Sequence, residues 1–306
     1  MVFADKFVIR RRSLCKYRRK RQRGKSSYIL VAMARKDFPT DVLNTRLSQI
    51  LGLLPLGFGG HFETFQASSC TGIFLFSALL DIYRLLKIFK KQHSFFDAFN
   101  TLTAVVVSST SYLAIVVHIV VSVVQFRKTK SFLCSNYNNR TSVNYLTIFA
   151  AVLLTIATAN RFTSKVRPDM VFRYSMSCLC IFLHFLIAAQ YFQLTSSSAM
   201  TWRYLGSRLC LIRGKRRKTQ IAKCASLSDS VCIGIMKIHR FYHRQIFVIA
   251  LGLFIELTFY GHLIITYAVL SNTPEFSFVM AFILPVFVKM LTLFLIATAS
   301  EAAAVT

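Results

Sequence analysis

Six apolar stretches, each long enough to cross a lipid bilayer, constrain this chain more than any other feature of its sequence. A bilayer core of about 30 Å takes roughly 20 apolar residues in an α-helix. The stretches lie at approximately 68–89, 101–126, 143–160, 171–192, 245–270 and 277–298. The sequence therefore predicts an all-α, polytopic membrane protein with six transmembrane helices.

The composition agrees with this class and excludes two others. Hydrophobic residues make up 55% of the 306 positions, whereas only 11 residues are acidic, which is too apolar for an ordinary soluble domain. The net charge of +27 resembles that of a nucleic-acid-binding protein. However, lysine and arginine fall almost entirely between the apolar stretches, where membrane proteins carry them in cytoplasmic loops. We therefore expect no nucleic-acid partner.

The distribution of basic residues predicts the orientation of the chain. Of the lysines and arginines outside the sixth stretch, 29 fall in the segments that would share a side with the N-terminus, and 8 fall on the other side. Because positively charged loops stay in the cytoplasm, the N-terminus is expected to be cytoplasmic. Six spans then return the C-terminus to the cytoplasm.

The chain divides into four segments on this basis. Residues 1–65 form a basic cytoplasmic segment, whose first 40 residues indicate neither a membrane nor a folded role, so a mis-assigned start stays open. Residues 66–192 hold the first four spans, 193–244 form a basic cytoplasmic loop, and 245–306 hold the last two spans and the C-terminal end. Apolar residues at helical spacing between Leu227 and Ile238, after a capping Ser226 or Ser228, predict that the fifth helix begins below the membrane.

Charged side chains inside the spans are costly and are therefore candidates for function. Asp81 and Arg84 stand three residues apart in the first span and are expected to pair on one helix face. Glu256 and Lys289 lie at similar depths in the fifth and sixth spans, counted at about 1.5 Å per residue. We expect them to form a buried structural ion pair, and a direct ligand or gating contact is the alternative.

Uncharged polar side chains collect in the outer halves of the spans in this orientation. Small hydroxyls and aromatic rings suit a neutral or weakly polar ligand of a few hundred daltons. Serine and threonine also occur at helix interfaces simply because they allow close packing, and that interpretation stays open. The candidate ligand-binding residues are Ser108, Thr110, Thr158, Ser177, Tyr260, His262 and Tyr267.

No catalytic or metal-binding pattern is present in the sequence. The eight cysteines show no CxxC pair or zinc-like spacing with histidine, so we interpret them as free thiols. Histidines 118, 184 and 262 lie in apolar surroundings, as in membrane acyltransferases, but no carboxylate or cysteine is spaced to orient them. We expect neither an enzyme nor a cofactor. A transporter and a G-protein-coupled receptor are weaker alternatives, the latter because its N-terminus would lie outside.

Several motifs, taken in order, resemble the insect gustatory receptor family, part of the seven-span superfamily that also contains the insect odorant receptors. LSQILGLLPLGFGG (47–60) is similar to the Gly-x-x-Pro element before the family's first span, with Gly52 and Pro55 in those places. Residues 238–270, with His239, His243 and Tyr267, resemble the fifth span and its approach helix. The short turn SNTPEF (271–276) and a sixth span ending LIATASEAAAVT complete the resemblance, which covers roughly 45–306.

The resemblance implies a ligand-gated, non-selective cation channel in the plasma membrane. It further implies a homo- or hetero-tetramer in contact with membrane lipids, a tastant pocket in the outer half of each subunit, and a pore lined by a seventh span. The signature of that span, Thr-Tyr followed by apolar residues and Gln-Phe, is absent from this sequence. Two interpretations follow: an incomplete product of a channel gene, or a non-conducting six-span membrane protein that binds a ligand or partner.

Overall fold

The computed structural model describes residues 47, 51, 60–89, 95–135, 141–163, 168–211, 217–270 and 276–305. Residues 1–46 of the basic segment, most of the 47–60 motif and residues 271–275 of the turn lie outside this description. The described residues form six long helices: α1 (Gly60–Phe89), α2 (Phe95–Ser135), α3 (Thr141–Thr163), α4 (Pro168–Leu211), α5 (Arg217–Leu270) and α6 (Phe276–Val305). Each is long and apolar enough to cross a membrane. The chain is thus an all-α, polytopic membrane protein, as the sequence predicts.

Helix α4 lies at the centre of the bundle. It packs against α2, α3, α5 and α6, and its segment from Leu183 to Tyr191 is buried throughout. Neighbouring helices rather than lipid therefore surround it, and it carries polar side chains that lipid would not accommodate. The buried polar residues of α4 are His184, Gln190, Gln193, Thr195 and Ser198.

Helix α1 lies at the edge of the bundle and packs mainly against α2. Phe74, Ser77 and Asp81 are buried, and their spacing places them on one helix face. The other faces expose large apolar side chains such as Phe65 and Leu79, which are 70% and 64% exposed. In a membrane protein such surfaces meet lipid chains.

The segment between the fourth and fifth spans is more helical than the sequence predicts. Helix α4 continues to Leu211 and α5 begins at Arg217, so only 212–216 lies between them. Helix α5 begins 28 residues before the apolar stretch 245–270, and the place of this extension below the membrane stays a prediction. Ser226 and Ser228 do not cap the helix: they lie inside it, where the Ser230 hydroxyl donates to the Ser226 carbonyl. The 54 residues of α5 span about 80 Å at 1.5 Å per residue, far more than a bilayer core.

Candidate functional site

A buried ion pair joins α5 and α6 near the middle of the bundle. Lys289 Nζ lies 2.6 Å from Glu256 Oε2, and the two side chains are 0% and 6% exposed. The Ser111 hydroxyl of α2 donates a hydrogen bond to Glu256 Oε1. On the other side, Lys289 Nζ lies 3.8 Å from the centre of the Tyr260 ring. Three helices thus contribute to a charged centre whose two charges neutralise each other, which makes its burial tolerable.

Helix α4 completes the wall of this centre. His184 is 2% exposed and interacts electrostatically with both Glu256 and Lys289. Cys180, one turn earlier on the same helix, also interacts with the two charges and is 2% exposed. The ion pair is therefore enclosed by α2, α4, α5 and α6. We name Ser111, His184, Glu256, Tyr260 and Lys289 the central polar cluster.

Aromatic contacts connect the central polar cluster with the C-terminal end of α3. The Arg161 guanidinium of α3 lies 5.3 Å from the Tyr174 ring and 5.1 Å from the Phe282 ring. The Phe282 ring in turn lies 6.0 Å from the Tyr260 ring. The Tyr174 hydroxyl donates to the Ala281 carbonyl, so α4 and α6 are tied at the same level. These contacts form one continuous path from α3 to Lys289.

A second ion pair attaches α1 to α4. Arg173 Nε lies 3.2 Å from Asp81 Oδ1, whereas Arg84, the partner expected from the sequence, lies 4.0 Å away. Ser108 of α2 also hydrogen-bonds with the Asp81 side chain. Only Arg84 is expected from the sequence as a partner of Asp81, so the pairing with Arg173 is missed. Arg173 lies at the start of the fourth apolar stretch, and Asp81 lies in the second half of the first. If these two helices are antiparallel neighbours, the two residues lie at similar depth.

A layer of buried polar side chains lies towards the other end of the bundle. His118 of α2 hydrogen-bonds with Gln245 of α5 and lies 3.4 Å from the Ser122 hydroxyl. The Tyr242 hydroxyl of α5 donates to Gln190 of α4 at 3.2 Å. The sequence analysis considers only His118 among these residues. The available signal is that uncharged polar residues recur at the inner ends of three apolar stretches.

A shallow, largely open cavity of about 460 Å³ lies between α3 and α4. Three hydroxyls line it, those of Thr155, Thr158 and Ser175, and Cys178 contributes a thiol. Exposed residues at its rim, such as Phe162, show that it opens to the outer surface of the helix bundle. The remaining lining residues are apolar: Ala151, Leu154, Ala159, Leu179 and Phe182.

The hydroxyls in this cavity are set up to accept hydrogen bonds. Thr155 donates to the Ala151 carbonyl, Thr158 to the Leu154 carbonyl and Ser175 to the Val171 carbonyl. Each hydroxyl proton is therefore used within its own helix, whereas the oxygen keeps lone pairs that can accept a hydrogen bond. The cavity favours a molecule that donates hydrogen bonds and is otherwise apolar.

The six candidate ligand-binding residues whose side chains are described do not share one pocket. Thr158 lines the cavity, and Tyr260 belongs to the central polar cluster. Ser108 contacts Asp81, and the Thr110 hydroxyl donates to the Val107 carbonyl of its own helix. The remaining three are Ser177, which is half-buried outside the cavity lining, His262, which is exposed, and Tyr267, which lies in α5 with a side chain outside the description.

The thiols and ligand-type side chains show no metal-binding arrangement where they are described. Cys70, Cys178, Cys180, Cys224 and Cys232 are free. Within the six helices no group of three or more His, Cys, Asp or Glu residues is placed to hold a metal ion.

Fold and site together define a polytopic α-helical membrane protein with a charged centre enclosed by four helices and a cavity open on its flank. No protein family, no curated protein and no solved structure matches this chain.

Proposed function

We propose that the chain is a gustatory-type chemoreceptor subunit of the plasma membrane, which binds a small tastant and gates a non-selective cation current within a tetramer. The observation that carries this proposal is the α3–α4 cavity, which has the size of a small-molecule site. The motifs at 47–60 and 238–270 resemble those of insect gustatory receptors. This resemblance is the basis for proposing channel activity and a tetramer. In the orientation predicted from charge, the cavity lies in the outer half of the bundle.

The chemistry of the cavity indicates the class of ligand. Its apolar walls suit a hydrocarbon or ring framework, and Thr155, Thr158 and Ser175 offer hydroxyl oxygens as acceptors. No ionised side chain lines it. A neutral molecule with one or two O–H or N–H donors, of a few hundred daltons, fits these conditions best.

Contacts within the described helices offer a route from the cavity to the centre of the bundle. Tyr174 lies one turn before Cys178 of the cavity wall on α4, and its hydroxyl donates to the backbone of α6. Arg161 and Phe282 continue this path to Tyr260 and Lys289. A ligand that separates α3 from α4 would therefore displace α6 relative to α5, which is the kind of two-position movement that gating requires.

The test is to express the chain in oocytes and record cation currents evoked by a panel of neutral hydroxylated tastants. Thr158→Val removes the acceptor oxygen while keeping the shape of the side chain, so the half-maximal concentration should rise about 5- to 10-fold for the loss of one hydrogen bond. Thr258→Val is the matched control, because Thr258 makes the same bond to its own helix but faces outwards on α5.

Equal responses of Thr158→Val and Thr258→Val would contradict the cavity as the ligand site. Thermal stabilisation of the purified protein by the same compounds separates binding from conduction. Stabilisation that Thr158→Val abolishes, without any current, would favour the alternative of a non-conducting membrane binding protein. If no compound in the panel evoked a current and none stabilised the protein, that result would contradict the receptor proposal itself.

A further inference from the structure

We propose that the exposed face of α5 binds an anionic phospholipid of the cytoplasmic leaflet, with the phosphate on a basic stripe and an acyl chain on the apolar stripe beside it. The basic stripe is Lys237, Arg240 and Arg244, all exposed and spaced three and four residues apart on one helix face. This inference rests on a surface away from the cavity and is independent of the proposed receptor function.

Contacts with α4 fix the depth of the basic stripe. The Tyr242 hydroxyl bonds with Gln190, and the Tyr242 ring lies 5.6 Å from the Tyr191 ring. These α4 residues end the fourth apolar stretch, which runs over 171–192. Arg240 and Arg244 flank Tyr242 on α5, so they lie at the end of the apolar part of the bundle. Lipid phosphates lie at this depth.

The apolar stripe continues along the same face of α5 into the bilayer. It consists of Phe247, Leu251 and Phe254, which are 69%, 50% and 66% exposed. Their spacing continues that of the basic stripe, so one lipid can contact both with its headgroup and its chain. A free phosphate ion would use only the basic stripe.

Charge complementarity favours an anionic lipid over a second copy of this chain. Among the described residues, no ion pair neutralises Arg240 or Arg244. Glu301 of α6, an exposed carboxylate, makes no described ion pair with either arginine. A symmetric contact between two copies would bring the basic stripes together, which is repulsive. The cytoplasmic leaflet supplies anionic headgroups, and each lysine or arginine near them strengthens attraction.

The experiment is a lipid titration of the purified full chain, followed by native mass spectrometry. Phosphatidylserine and phosphatidylcholine with identical acyl chains are compared for the wild-type protein and for Arg240→Gln/Arg244→Gln. We expect the double variant to lose about 25-fold in apparent affinity for phosphatidylserine, at about 5-fold per arginine, and to keep its affinity for phosphatidylcholine. Circular dichroism checks that both proteins keep the same helix content.

The matched control is Arg203→Gln/Lys223→Gln, which removes the same charge from exposed positions elsewhere on α4 and α5. It should keep the preference for phosphatidylserine. Equal losses in the two double variants would overturn the proposal, because they would show a bulk charge effect. So would unchanged binding, displacement of the lipid by millimolar inorganic phosphate, or a lipid-independent shift from dimer to monomer in Arg240→Gln/Arg244→Gln.

Discussion

Glu256 and Lys289 illustrate how a charge survives in the interior of a membrane protein. Each would be costly alone, but Lys289 Nζ meets Glu256 Oε2 at 2.6 Å and faces the Tyr260 ring, while Ser111 binds the other carboxylate oxygen. Burial of a paired charge is compatible with folding, whereas burial of a single charge is not. Substitution of one residue of the central polar cluster is therefore expected to change the stability of its partners as well.

Removal of one partner should cost far more than removal of both. We expect Lys289→Met to lower the free energy of unfolding by about 3–5 kcal/mol, because it leaves the Glu256 carboxylate buried without its cation. Glu256→Leu/Lys289→Met should recover most of that loss. Chemical denaturation in detergent micelles measures both, with exposed Lys87→Met as a control expected to change stability by less than about 0.5 kcal/mol. A double variant less stable than Lys289→Met would contradict this account.

At the residue level, sequence reasoning succeeds where depth alone decides. The depth of a residue along a membrane-spanning helix follows from a count of residues. The pairing of Glu256 with Lys289 can therefore be predicted from the sequence. Asp81 shows the limit: its nearer partner Arg173 is 92 positions away, and finding it requires knowing that α1 and α4 are neighbours. The cavity shows a second limit. Whether Thr158 or Ser177 faces the cavity depends on how each helix is rotated about its axis. A span that is apolar on all sides carries no sequence pattern that shows this rotation.

At the level of elements, α1 is placed in the bundle mainly by its packing on α2. The Asp81–Arg173 pair also ties it to α4. Because Asp81 is only 2% exposed, the loss of this cation leaves a buried carboxylate poorly compensated.

Arg173→Gln and Arg84→Gln offer a matched comparison for this attachment. Arg173→Gln should lower the free energy of unfolding by about 1–3 kcal/mol, since it removes the nearer cation from a buried carboxylate. Arg84 lies farther from Asp81, so Arg84→Gln should cost less than half as much. Thermal unfolding in detergent, referenced to wild type, measures the difference. Equal losses would show that Arg173 does not hold α1 in place.

The ends of the long helices α4 and α5 differ from the ends of the apolar stretches that they contain. The apolar stretches locate the parts inside the bilayer, whereas α4 continues 19 residues past position 192, through polar and basic sequence. Burial of Leu205 and Ile238 within these extensions indicates that protein contacts, not propensity alone, hold them helical. Hydropathy alone does not set these boundaries, although the apolar spacing between Leu227 and Ile238 predicts the early start of α5.

At the scale of the whole molecule, the six described helices agree with the class, and charge predicts the orientation. Cys224 and Cys232 lie on the long α5 helix, partly exposed and on the side expected to be cytoplasmic, whereas Cys178 and Cys180 are buried. A membrane-impermeant maleimide therefore tests the orientation directly.

In cells expressing a variant with Cys15, Cys134 and Cys210 changed to serine, we expect labelling only after the plasma membrane is permeabilised. Cys224→Ser/Cys232→Ser in the same background should then abolish most of the labelling, because the remaining thiols lie within the bundle or the apolar region. Labelling of intact cells that the double serine change removes would contradict the cytoplasmic N-terminus.

The central position of α4 has a consequence for how the protein is made. Its buried His184, Gln190 and Gln193 face other helices in the finished bundle, and two of those helices, α5 and α6, are synthesised later. A newly made α4 thus enters the membrane before half of its partners exist, with amide and imidazole groups that lipid cannot solvate. The chain must therefore delay release of α4 from the insertion machinery, or shield it, until its C-terminal helices arrive.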